Sequence, residues 1–116
     1  MKTLASTEKS VADLARVFKI LSEPNRLKIL RSMGLECTPV SAIIARTGLS
    51  QTNVSFHLRI MREAGLVKGE RNGPYIFYCL YDTRLLELLD SLGEWRSDVL
   101  AQLAAQGHDD PASAAG

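Results

Sequence analysis

The residues best suited to bind metal or act as nucleophiles are few: Cys37, Cys79, His57 and His108. They are scattered along 116 residues and form no zinc quartet, in which ligands come as closely spaced pairs. There is no phosphate-binding glycine loop and no nucleophile with an evident base partner, so neither an enzyme nor a cofactor is expected. What remains is thiol chemistry. Cys37 stands ahead of Thr38 and a helical stretch, where a backbone amide and a helix N-terminus could stabilise its thiolate. Either cysteine could serve as a redox or electrophile switch; alternatively both are small apolar fillers. Two cysteines suit a reducing compartment, where a structural disulfide is not expected.

A second constellation is polar. In SQTNVSFHLRIMREAGL, Ser50 is a good N-cap, and Gly65 supplies a left-handed stop. Val54, Leu58 and Met61 recur at i, i+4 and i+7 and predict a narrow buried face, leaving Thr52, Ser55, Phe56 and Arg59 on the opposite side. Ahead of it, Thr38 and Pro39 read as N-cap and first residue of a short helix carrying Ile43 and Ile44 and closed by Gly48. Two helices joined by Thr47-Gly48-Leu49-Ser50 make a helix-turn-helix. LVKGER and YIFYCL then flank Asn72-Gly73-Pro74, a hairpin signal complicated by the proline. The sum is a winged helix-turn-helix, mainly α with a small β-hairpin wing.

The charge distribution fits that order. Residues 1–45 carry seven Lys/Arg and four Asp/Glu, residues 46–81 five and two, and residues 82–116 two and seven. Basic charge accompanies the reading head, as in a protein that displaces counterions from phosphates, although a generally solvated surface would look similar.

The rest of the chain must position these elements. Residues 1–6 read as frayed, and Val11, Leu14, Ala15, Phe18 and Leu21 predict a first helix from Thr7 to near Ser22. Glu23-Pro24-Asn25 restarts the chain into a second helix with Leu27, Ile29, Leu30 and Met33, ending at Gly34; its Arg26, Lys28 and Arg31 read as a solvated face. A last helix, from about Asp82 to Gln106, carries Leu85, Leu89, Leu92, Trp95, Val99 and Leu103. Such a helix is longer than a small core can cover, which predicts a homodimer through Val11, Leu14 and Phe18 of the first helix and that stripe of the last. The competing reading packs the stripe wholly within its own domain. Residues 7–106 then form one DNA-binding and dimerisation domain, with 107–116 a disordered tail. No apolar run approaches a membrane span and Met1 to Ser10 lacks a signal segment, so a cytoplasmic protein with no membrane partner is expected.

Over Leu21 to Leu80, and most of all in EPNRLKIL, SQTNVSFHL and REAGLV, the sequence resembles the ArsR/SmtB family of dimeric winged-helix repressors. The resemblance implies a homodimer that binds a double-stranded DNA operator until an inducer lowers its affinity. The family's thiolate site for arsenite, cadmium or lead would fall on Pro39 and Ser41. The histidines of its zinc, cobalt or nickel site would fall on Arg84 and Trp95. Neither site can form with these residues. Cys79 stands where many relatives carry a polar or basic residue, and Phe56 where they often carry histidine.

A helix in the major groove sets its first turns against base edges, which assigns Gln51, Thr52, Asn53, Ser55, Phe56 and Arg59 to reading, Gln51 foremost. Phe56 either meets a thymine methyl or packs against the wing or the first turns of a neighbouring helix. His57 either sits in the core or reaches a phosphate. Arg62, Lys68 and Arg71 suit phosphates, and Asn72 at the wing tip suits the flanking backbone. Half-sites one helical turn apart predict an inverted-repeat operator. The alternative function is a protein-interaction module, which would show an apolar patch in place of this polar face.

Overall fold

The computed structural model describes residues 4–107, with side chains from Thr7 onward. The elements run α1 (Leu4–Leu21), α2 (Pro24–Met33), β1 (Thr38–Pro39), α3 (Val40–Thr47), α4 (Gln51–Glu63), β2 (Val67–Asn72), β3 (Tyr75–Leu80) and α5 (Arg84–Ala105). Residues through Thr83 form one compact unit, and the segment from Arg84 a second. Among the described residues no helix is long and apolar enough to cross a membrane.

Local chemistry sets most boundaries. Pro24 opens α2, and the Glu23 carboxylate ahead of it accepts the Asn25 amide at 3.1 Å. α3 stops at Gly48, which adopts φ 71 and donates its amide to the Ile44 carbonyl at 2.9 Å; a side chain is disfavoured in that conformation. Ser50 caps α4 as expected, its hydroxyl accepting the Asn53 amide at 3.1 Å, and Gly65 follows the helix with φ 77.

Three expectations change. α1 begins at Leu4, so Leu4–Ser6 is helical rather than frayed. Thr38 and Pro39 do not open α3: they form β1, and the Thr38 hydroxyl donates back to the Met33 carbonyl at 2.8 Å. The extended backbone of Pro39 (φ −67, ψ 147) supplies a strand residue as readily as a helix start. The wing is consequently a three-stranded antiparallel sheet ordered β1-β3-β2. Its hairpin turns through Gly73 and Pro74, since Asn72 already pairs with Tyr75; Gly73 takes φ 63 at the first central position.

The core collects Leu21 of α1, Ile29, Leu30 and Met33 of α2, Ile43 of α3, Val54, Leu58 and Met61 of α4, and Val67 and Leu80 of the sheet. Burial along β3 does not follow the two-residue alternation of a half-buried strand. Ile76 is exposed near the tip, whereas Cys79 and Leu80 are both buried at the base, where the central strand is covered on both faces.

α5 differs in kind. It has 22 residues, about 33 Å at the α-helical rise, and none of them is buried. The expected tail lies outside the described residues apart from Gly107.

Candidate nucleic-acid interface

α4 is divided lengthwise. Val54, His57, Leu58 and Met61 are buried, while Gln51, Thr52, Asn53, Ser55, Phe56, Arg59 and Arg62 are exposed. Its first turn therefore presents an uncharged polar set, with an aromatic and two cations on the turns behind. Phe56 stays 47% exposed. Its ring meets the edge of His57 with centroids 5.3 Å apart, and the Arg59 guanidinium lies 5.9 Å from its centroid. The aromatic thus sits in a cationic setting on the exposed face.

His57 takes the core alternative and is no DNA contact. At 7% exposure it is a core residue, and its Nδ1 accepts a hydrogen bond from Arg26 Nε at 3.2 Å. Burial lowers its pKa from the ordinary 6.5, the Arg26 charge lowers it further, and Glu23 opposes them. An imidazole accepting at Nδ1 is neutral with its proton on Nε2. Arg26 is likewise no solvated side chain: its Nη1 also donates to the Ile20 carbonyl at 3.1 Å, so one guanidinium ties the end of α1 and α2 to the underside of α4. Sequence reading missed this residue because its partner lies 31 positions away. Lys28 and Arg31 are exposed, as expected.

The wing carries the other expected phosphate and backbone contacts. Lys68, Arg71 and Asn72 are exposed on β2, with the Lys68 ammonium 5.8 Å from the Tyr81 ring centroid. Between wing and α4 lies a groove of about 300 Å³, bordered by Gln51, Ser55, Pro74, Tyr75, Ile76 and Tyr78. Tyr78 pairs with Gly69, where a Cβ would stand 3.3 Å from the tyrosine ring.

The cysteines are joined, contrary to expectation: Cys37 and Cys79 form a disulfide with Cα atoms 4.3 Å apart. The cause is the unforeseen strand. Thr38 pairs with Tyr78 and Pro39 with Phe77, so the register one residue further sets Cys37 opposite Cys79. Cys37 is exposed and Cys79 is 5% exposed, and a pocket of about 240 Å³ lined by Met33, Glu36, Thr38 and Arg46 adjoins Cys37. Glu70 of β2, which sequence reading did not single out, brings a carboxylate oxygen within 4.8 Å of both sulfurs.

Comparison with known proteins agrees with this arrangement. Residues 21–70 match the family described as "Helix-turn-helix domain". Over 81 residues the chain is 40% identical to the HTH-type transcriptional regulator NmtR of Mycobacterium tuberculosis, covering 70% of this chain and 68% of that one. The chain belongs to the ArsR/SmtB family. It is also 30% identical over 90 residues to the biofilm growth-associated repressor of Xylella fastidiosa (strain Temecula1), covering 78% and 79% of the two chains. Among solved structures, the homodimeric winged helix-turn-helix DNA-binding domain of a possible ArsR-family regulator from Mycobacterium bovis superposes with TM-score 0.67. The identity is 26%, and the match covers 90% of this chain and 92% of that one. This ArsR-family member is a winged helix-turn-helix transcriptional regulator. Within the family frame, Pro39 lies in β1 and Ser41 in α3, while Arg84 and Trp95 lie on α5; these side chains offer no thiolate or imidazole.

Proposed function

We propose that the protein is a homodimeric repressor that binds an inverted-repeat operator through α4 and is released when the Cys37/Cys79 pair changes state. The observation that carries the reading is the division of α4: four buried residues hold the helix, and its opposite face is free from the first turn onward. In the major groove Gln51 or Asn53 pairs with adenine and Arg59 with guanine, while Thr52, Ser55 and Phe56 complete the base contacts. Arg62, Lys68, Arg71 and Asn72 fix the register on phosphates. The second copy supplies the second α4. Two separate observations support dimerisation: α1 exposes Val11, Leu14 and Phe18, and α5 exposes Leu88, Leu92, Trp95, Leu100 and Leu103. Residues 7–106 carry both functions, with Leu85, Leu89, Leu92, Trp95, Val99 and Leu103 forming the α5 side of the interface.

The thiol pair is the sensing element because it joins the strand before α3 to the centre of the wing. The test is fluorescence anisotropy on DNA upstream of the protein's own gene, at fixed salt, with reduced and with oxidised protein. Specific binding by one form only, with the difference lost in Cys37→Ser, is the expected result. Binding unaffected by oxidation removes the cysteines as the switch. If neither form prefers this DNA to random sequence, self-regulation fails and the protein-interaction reading gains. Gln51→Ala with Ser55→Ala at unchanged fold then decides whether α4 touches DNA at all.

A further inference from the structure

We propose that the reduced wing holds a soft divalent metal ion of the zinc and cadmium class between Cys37, Cys79 and Glu70. The site is built by the sheet. Cys79 lies on the central strand, with Cys37 opposite it on the β1 side by register. On the other side Lys68 pairs directly with Cys79, and Glu70, two residues along β2, is the diagonal neighbour on the same face. β3, β2 and the residue just ahead of β1 thus contribute one donor each, and the three ligand atoms lie within 4.8 Å of one another.

The distances suit the ion. A tetrahedral centre with sulfur at about 2.3 Å and carboxylate oxygen at about 2.0–2.2 Å sets its donors roughly 3.5–3.8 Å apart. The sulfurs must therefore part once the disulfide is reduced, and the carboxylate must close by roughly an ångström. Cys37 and Glu70 are both exposed and can adjust by rotation about their side-chain bonds, while Cys79 is buried. Two thiolates and one carboxylate favour a borderline or soft ion over calcium or magnesium, which take oxygen ligands. The exposed side leaves a fourth position for water.

Metal and disulfide exclude each other. A dithiol reductant transfers two electrons and two protons to the Cys37–Cys79 bond and is itself oxidised to a disulfide. The divalent ion then displaces the two thiol protons. The site depends only on the wing, and its test involves no DNA, so its failure is distinct from failure of the repressor reading.

The experiment titrates the intact protein with Cd²⁺ alone, following thiolate-to-cadmium charge-transfer absorption and measuring bound metal by equilibrium dialysis. Reduced protein is expected to bind one equivalent with the thiolate signature, and oxidised protein none. Glu70→Gln, on an exposed strand position, should fold normally and re-form the disulfide yet weaken cadmium binding at least tenfold. Cys37→Ser, at the exposed end of the pair, should remove the signature. If reduced protein binds no more cadmium than oxidised protein, the site does not exist. If Glu70→Gln binds as tightly as the parent, the three-ligand site is wrong.

Discussion

α4 and α5 are both amphipathic helices, yet they stand in opposite relations to the chain. α4 has 13 residues and buries four; α5 has 22 and buries none. The shorter helix is held from below by its own domain, which leaves its outer face available for a partner of a different chemical kind. The longer helix leaves Leu88, Leu92, Trp95, Leu100 and Leu103 in water, a stripe too apolar to be a solvated face. A helix buried on one side keeps the other side available; a helix buried on neither side, with an apolar stripe exposed, is what the proposed dimer would cover.

Packing is the sharpest test of that contrast. Leu58→Ala should cost about 2–5 kcal/mol in urea denaturation, because the residue is 1% exposed, whereas Leu92→Ala measured at monomer concentrations should shift stability by less than about 0.5 kcal/mol. Equal costs would mean that α5 is held by its own chain after all. Next, Leu92→Glu with Trp95→Glu should raise the dimer dissociation constant at least about 30-fold in sedimentation equilibrium, as expected for losing a central aromatic anchor. An unchanged constant would place the dimer contact elsewhere.

On α4 the effects are smaller and sequence-dependent. Gln51→Ala should weaken operator binding by about 1–3 kcal/mol and relax specificity at one base pair. Arg71→Ala should weaken binding to all sequences alike and lower the salt slope by about one. If both variants behave as general phosphate contacts, α4 does not read bases. The least effect is on the buried side. Because the folded pKa of His57 lies below its unfolded value of 6.5, the unfolded chain takes up the proton first as pH falls. Its contribution to stability is full above pH 6.5 and is lost as pH falls through the folded pKa. Thermal melts of His57→Gln should lack that component of acid sensitivity, and an unaltered pH profile would count against it.

Much of the reading head was legible because it is local. Ser50, Val54, Leu58, Met61 and Gly65 bracket and orient α4 within a single stretch, and capping and periodicity act over a few residues. The features that escaped are those in which distant residues meet. β1 is two residues long, with Thr-Pro chemistry that also begins helices, so the register bringing Cys37 to Cys79 had no signal of its own. Arg26 resembled any surface arginine until His57 appeared beneath it. Glu70 is one of several exposed acids until the hairpin sets it diagonally from Cys79. Compartment reasoning about cysteines misled for the same reason, since it concerns averages and not the pairing of two particular strands.

The disulfide also changes the topology of the chain. It closes a loop across a sequence separation of 42, and α3, the turn, α4, β2 and most of β3 lie inside the loop, while α1, α2 and α5 are exocyclic. Oxidised, the part that carries α3, α4 and the wing hairpin is a macrocycle whose unfolded form cannot expand freely. The chain-entropy relation values this constraint at roughly 4 kcal/mol for a loop of that length. Reduction linearises the macrocycle and removes that constraint, so the thiol state sets how tightly the two helices and the wing are tethered even in the unfolded ensemble.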